Sequence, residues 1–161
     1  MIAALYTVLT IAFHPIGFGV LQFRVSEALT VLPAAIPAAI PGLFLGCLIS
    51  NAFSFSGMVI ADMVFGSIAT LISAFLTHYI AKALNGANLL LRLVLIPLPP
   101  VIINTLVIGA LLSFFSAVPF TVAASGVFIG QSGACYLLGC PLYLLICSLE
   151  KSKWFRQLIK S

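Results

Sequence analysis

Val25-Ser26-Glu27-Ala28-Leu29-Thr30-Val31-Leu32-Pro33-Ala34-Ala35-Ile36-Pro37-Ala38-Ala39-Ile40-Pro41, continued by an apolar run to Phe53, is the stretch on which the fold turns. A helix rises about 1.5 Å per residue, so about 20 apolar residues cross a hydrocarbon core roughly 30 Å thick. Residues 25–53 are too many for one crossing and too few for two perpendicular ones, and prolines stand at 33, 37 and 41. Two short helices that turn inside a bundle fit best. Irregular backbone at membrane depth is tolerated only where it is buried in protein or lines a cavity, so the segment points to a cavity. The repeated Ala-Ala-Ile-Pro at 34–37 and 38–41 reads as a kinked connection rather than an architectural repeat.

The rest of the chain supplies the bundle. Met1 to Gly19, Val59 to Ala81, Leu93 to Val118 (kinked around Pro97, Pro99 and Pro100) and Phe120 to Leu149 are each apolar enough to span. The last is longer than needed and is expected to tilt or run into the interface. With the two short helices of 25–53 the count is six. Of 161 residues, 63% are hydrophobic and 6% charged, too few charges to keep a soluble surface of this size wet. No polar linker or second globular segment interrupts the chain, so residues 1–161 form a single transmembrane domain. Met1 enters an apolar helix with neither a positive region nor an A-x-A-like site, so no signal peptide is expected. A short cytoplasmic lead is expected to be missing ahead of it.

The net charge of +4 does not point to nucleic acid, because the basic residues gather at segment ends rather than on one face. Six helices place both termini on one side. The basic tail Lys151, Lys153, Arg156 and Lys160 assigns that side to the cytoplasm, and Lys82 and Arg92, bordering the loop between the fourth and fifth helices, assign the same side independently. Trp154 is expected to anchor at the interface. The connections near 15–26, 54–60 and 117–121 then face outward.

Against this background three charges stand out. Of ten charged side chains, only Arg24, Glu27 and Asp62 lie among the apolar stretches. Such a residue costs roughly 2.5–3.5 kcal/mol on insertion scales and is a functional-site hypothesis by default. All three fall in the outer half. Arg24 and Glu27 could instead form an i,i+3 pair at a wet helix end, and Asp62 could complement a helix N-terminus. Asn51 lies at the outer end of the third helix, and Asn104 and Gln131 at mid-depth in the fifth and sixth. Singly, each amide reads as a helix bridge worth roughly 0.6–2 kcal/mol. Jointly, the six read as one outward polar pocket. Phe23, Phe44, Phe53 and Phe55 flank the set and read mainly as packing or lipid contacts, although they could stack on a planar ligand. His78 reads as a snorkelling residue, while His14 fits pocket and interface equally.

Small residues recur every fourth position at Gly66, Thr70 and Ala74 and at Gly126, Gly130 and Ala134, which lets helices approach closely inside the bundle. The row Ala4, Val8, Ala12 on the first helix is a candidate for docking another protein. Cys47, Cys135, Cys140 and Cys147 sit in apolar runs without paired C-x-x-C or nearby histidines, so they read as small buried hydrophobes and no metal is expected. No G-x-x-x-x-G-K-[ST] loop, H-E-x-x-H or Ser/His/Asp arrangement occurs, so neither ATP hydrolysis by that route nor other catalysis is expected.

The stretch Leu21-Gln22-Phe23-Arg24-Val25-Ser26-Glu27-Ala28-Leu29-Thr30-Val31-Leu32-Pro33, with Ile40-Pro41-Gly42-Leu43-Phe44-Leu45-Gly46-Cys47 and Asn51, resembles the QueT family. So do Asp62-Met63-Val64-Phe65-Gly66-Ser67 with Ala69-Thr70-Leu71, Leu98-Pro99-Pro100 with Asn104, and Tyr136-x-x-Gly139-x-Pro141. The first block is long and specific; the later ones are short. The resemblance implies an all-α integral membrane protein, a six-transmembrane-helix bundle of the energy-coupling factor S-component type, with helices two and three short and proline-kinked. It implies a substrate-binding subunit for a queuosine precursor, a 7-deazaguanine such as preQ0, preQ1 or queuine. The partners would be a transmembrane coupling subunit and two cytoplasmic ATPases, with no cofactor of its own and ATP hydrolysed by those partners. Residence in a bacterial plasma membrane follows. Members commonly dock through small residues on the first helix, a pattern that Val8 makes imperfect here.

A 7-deazaguanine offers adjacent N–H donors that one carboxylate can accept in pairs, and Arg, Asn or Gln can donate to its carbonyl oxygen. A 7-aminomethyl group is a cation that suits a second carboxylate, whereas a nitrile needs none. Glu27 as base reader with Asp62 as cation partner, and the reverse, both fit. An S component for another vitamin or nucleobase, a secondary transporter using Glu27 or Asp62 as a proton relay, and a ligand-free membrane adaptor are the alternatives. The breaks at 33–41 and 97–100 do not mirror each other as an inverted repeat would.

Overall fold

The computed structural model describes residues 1–17, 21–53 and 59–150, and all regular structure among them is helical. Gly19, Phe55 and the tail with Lys151, Lys153, Trp154, Arg156 and Lys160 lie outside the described residues. The helices are α1 (Ile2–Ala12), the single turn α2 (His14–Gly17), the 3-10 helix α3 (Val25–Ala34), α4 (Ala39–Ala52), α5 (Val59–Ala83), α6 (Leu89–Ser116) and α7 (Phe120–Leu149). By length and composition α5, α6 and α7 can each cross a membrane, while α1, α3 and α4 are shorter apolar helices. Large aliphatic and aromatic side chains such as Val8, Ile60, Leu90, Phe114 and Leu137 cover the outside, the surface expected where the solvent is lipid.

The awkward stretch at 25–53 resolves through helix type. A 3-10 helix rises about 2.0 Å per residue, so the ten residues of α3 extend about 20 Å, close to the ~21 Å of the fourteen-residue α4. Runs of 3-10 helix longer than a few residues are uncommon because their hydrogen bonds are poorer. Here the helix is wrapped: α1, α4, α5 and α7 all pack on it, and Ser26 to Val31 are buried without a break. Pro33 lies inside α3 near its end, Pro37 in the connection, and Pro41 in the first turn of α4, where a backbone N–H would have no helical partner in any case. The carbonyl of Pro33 accepts from His78 Nδ1 at 3.0 Å, which fixes the proton on Nδ1. His78 is therefore half-buried and bonded, rather than snorkelling.

Two core clusters flank α3. Leu29 joins Tyr6, Ile40, Leu43, Cys47 and Ala74 on one side, and Val31 joins Ala81, Ile96 and Tyr143 on the other. α1 meets α4 along Gly42 and Gly46: a Cβ at Gly46 would lie 2.7 Å from Tyr6 Cβ and 2.9 Å from the Ala3 carbonyl oxygen. That is a small-xxx-small contact, which favours close backbone approach. α6 begins four residues earlier than the sequence suggests, because Leu89 to Leu91 join the turn capped by Asn88, whose Oδ1 accepts from Leu91 N at 2.8 Å. It breaks at Ile96–Pro97, where Thr77 Oγ1 donates to the Ile96 carbonyl at 3.3 Å, and resumes with Pro99 and Pro100 in a first turn. Two π-helical segments, Asp62–Gly66 in α5 and Gly133–Gly139 in α7, have no counterpart in the sequence reading.

Candidate functional site

The chain enters α3 through a bent segment. Gln22 has φ of 45°, in the left-handed region, and its carbonyl accepts from Arg24 N at 3.0 Å. Such a residue costs roughly 1–3 kcal/mol and persists only where the surroundings over-determine it. α7 supplies those surroundings: a Cβ at Gly130 would lie 1.6 Å from the Leu21 carbonyl oxygen, and one at Gly133 would lie 2.7 Å from the Phe23 ring. Gly130 of the small-residue row thus receives backbone, and Gly133 beside the row a ring, from the entry segment.

That entry delivers Arg24 into the interior at 3% exposure, with Glu27 and Asp62 at 1% each. Arg24 Nε donates to the Gly17 carbonyl at 3.3 Å, and one terminal nitrogen donates to Asn51 Oδ1 at 3.2 Å. Both carboxylates attract the guanidinium. Asn51 turns its other end to the opposite side: Nδ2 donates to the Asp62 carbonyl at 2.8 Å and approaches Cys47 Sγ at 3.4 Å. Gly66 leaves room for this, since a Cβ there would lie 2.9 Å from Asn51 Nδ2. The π turn beginning at Asp62 borders the contact, in keeping with the frequency of such bulges at functional sites.

Glu27 is held from several directions. Tyr6 donates its phenol to Glu27 Oε1 at 2.5 Å, Thr30 Oγ1 donates to the Glu27 carbonyl at 2.5 Å, and Thr10 Oγ1 is hydrogen-bonded to Ser26 Oγ at 2.7 Å. Asn104 of α6 lies beside the carboxylate. Gln131 is buried but approaches indirectly, through Cys135 Sγ, which lies 3.9 Å from Gln131 Oε1 and 3.8 Å from the Glu27 carbonyl. Arg24, Glu27, Asn51, Asp62 and Asn104 are thus gathered, and Gln131 stands one side chain away. Cys47 and Cys135 join this polar layer as weak partners, more than inert packing. The four cysteines are free, and no group of three or more His, Cys, Asp or Glu is assembled among the described residues.

Two buried acceptors, Glu27 Oε2 and Gln22 Oε1, take no hydrogen bond among the described residues. Buried polar atoms are nearly always satisfied, and an orphan calls for an explanation such as a bound group. Formal charges of one Arg and two carboxylates leave the cluster at minus one. Chemically, the arrangement can accept N–H donors and balance a cation.

Tyr6, Thr10 and Gln22 escaped the sequence reading. Tyr6 and Thr10 are spaced i,i+4, a polar stripe inside an apolar helix that would have flagged the inner face of α1. Ala4, Val8 and Ala12 lie on the opposite, exposed face. Phe23 packs on Gly133, Phe44 is half-buried and Phe53 is exposed.

A model of the QueT transporter family matches residues 1–148. The "Queuosine precursor transporter QueT" of Lactococcus lactis subsp. cremoris (strain MG1363) is 36% identical over 74 residues, covering 45% of this chain and 42% of that protein. The aligned part therefore spans less than half the length of that relative. No solved structure matches the chain. A family match running from α1 through nearly all of α7, on a bundle with an apolar exterior and charges turned inward, leaves one conclusion: the chain belongs to the QueT transporter family and is a multi-pass membrane protein.

Proposed function

We propose that the chain is the substrate-binding subunit of an energy-coupling factor importer for a queuosine precursor, a 7-deazaguanine, and that Glu27, Arg24, Asn51, Asp62, Asn104 and Gln131 form its site. The observation that carries this reading is the buried Arg24–Glu27–Asp62 cluster with an acceptor, Glu27 Oε2, left for a ligand. Glu27 accepts base N–H groups. Oε1 already takes the Tyr6 phenol, so a paired acceptance uses Oε2 and the remaining lone pair of Oε1. Asp62 balances a 7-aminomethyl cation, in line with the formal minus one of the cluster. Ala4, Val8 and Ala12 dock on a transmembrane coupling subunit, and two cytoplasmic ATPases supply the energy. Six crossings, formed by α1 with α2, then α3, α4, α5, α6 and α7, leave both termini in the cytoplasm of a bacterial cell.

The test is a titration of the purified protein with 7-aminomethyl-7-deazaguanine, 7-cyano-7-deazaguanine, queuine and common vitamins. Binding confined to deazaguanines is expected, without accumulation by the protein alone in lipid vesicles. Binding of a vitamin in their place, or proton-driven accumulation by the isolated chain, overturns the proposal. Cysteine labelling at Asn85 is expected from the cytoplasmic side only.

A further inference from the structure

Glu27 has one oxygen engaged and one not, and the engaged oxygen belongs to α1. Tyr6 is fully buried, and its ring base rests on Gly46, whose missing side chain sets the distance between α1 and α4. From that seat the phenol donates to Glu27 Oε1, across 21 residues of chain. Thr10, one turn on, donates its one hydroxyl proton to the Tyr6 carbonyl at 2.9 Å and can accept from Ser26 Oγ at 2.7 Å, so the same face of α1 also grips the residue before Glu27. Thr30 holds the Glu27 carbonyl. Backbone and one carboxylate oxygen are therefore pinned, while Oε2 is buried without a hydrogen bond of full geometry, Asn104 being a looser neighbour of the carboxylate. A carboxylate otherwise turns about its last torsion, which is broad and roughly two-fold, and exchanges its oxygens. A donor fixed at one oxygen removes that freedom.

We infer that Tyr6 is a positioning residue: its phenol holds the Glu27 carboxylate in the orientation that presents Oε2 to N–H donors of the ligand. This rests on the proposed reading of Glu27 as the base-reading carboxylate. Tyr6 acts through Glu27 and need not touch the ligand.

The experiment is a double-mutant cycle on the full chain in detergent, with 7-aminomethyl-7-deazaguanine as probe and thermal melting as a fold control. Tyr6→Phe keeps the ring on Gly46 and removes only the donor. It is expected to lower affinity roughly tenfold, in the range of a hydrogen bond to a charged group. In a Glu27→Gln background the same change is expected to cost less than about twofold, because nothing remains to position; residues acting as one unit are non-additive. Equal losses in both backgrounds, or wild-type affinity of Tyr6→Phe, overturn the positioning role while leaving Glu27 in the site. Normal binding by Glu27→Gln overturns the site assignment itself and this role with it. A ligand-free readout covers failure of Tyr6→Phe to fold. The infrared C–O band of ring-labelled tyrosine, assigned by comparison with wild type, is expected to shift in Glu27→Gln, and an unmoved band defeats the inference.

Discussion

α5 begins beside Asp62 and ends beside His78 and Lys82, so the two ends of one helix offer a direct comparison. At the first end a guanidinium is buried against two carboxylates and an amide that spans α3, α4 and α5. At the other end Arg92 is half-buried with its guanidinium carbon 5.5 Å from the centre of the Tyr143 ring, Lys82 is exposed, and His78 donates a hydrogen bond from Nδ1 to the Pro33 carbonyl. The residue types overlap; the environments do not. An arginine near a helix end can keep its charge close to water and rest its stem on apolar surface. One inside the bundle has lost water and depends on counter-charges, so it is retained where something uses it.

Arg24→Ala should break the first end most severely. Removing one partner from a buried ionic group costs about 3–5 kcal/mol, because the charges left behind are uncompensated. Chemical denaturation of the purified protein should show that loss, and a change below about 1 kcal/mol would mean the cluster is far wetter than its burial implies. Glu27→Gln comes next, with affinity for 7-deazaguanines falling tenfold to a hundredfold while the fold survives, since about 1.5–3 kcal/mol attaches to a hydrogen bond with a charged group. Isothermal titration should also show Asp62→Asn weakening an aminomethyl ligand more than a nitrile one. Equal weakening would exchange the two carboxylates or leave Asp62 to the helix terminus.

Gly130→Ala tests the entry to the same end. The added carbon would fall 1.6 Å from a backbone oxygen, so the 21–23 segment must move, at about 1–3 kcal/mol of stability by analogy with overpacking. Weakest is Arg92→Ala at the other end, expected to cost about 0.5–1 kcal/mol, the range of an exposed cation–π contact. If denaturation ranks Arg92→Ala with Arg24→Ala, the contrast between the ends is lost.

Much of the site was legible as a list and little of it as an arrangement. Arg24, Glu27 and Asp62 announce themselves because charge is rare in apolar sequence, and Asn51 follows by its place at a helix end. Tyr6 does not, because a tyrosine in an apolar helix reads as packing until its hydroxyl is seen to reach Glu27. Gln131 belonged to the predicted set, yet its route to Glu27 runs through Cys135, a residue whose sequence context suggested only a small hydrophobe. The stretch at 25–53 was recognised as too short for two α-helical spans. Its 3-10 form was not, since a helix buried without a break from Ser26 to Val31 carries no amphipathic period to distinguish 3.0 from 3.6 residues per turn.

The sequence by itself determined that this protein is helical, apolar outside and charged within. Those properties follow from summed transfer free energies and local periodicity, which belong to residue types in their order along the chain. Tertiary structure alone decided which carboxylate oxygen is engaged, what the Tyr6–Thr10 stripe of α1 meets and which glycines hold the entry segment. Hydrogen bonds are directional and short-ranged, and partners such as Tyr6 with Glu27 and Glu27 with Cys135 lie 21 and 108 residues apart, so only the packed bundle brings them into line.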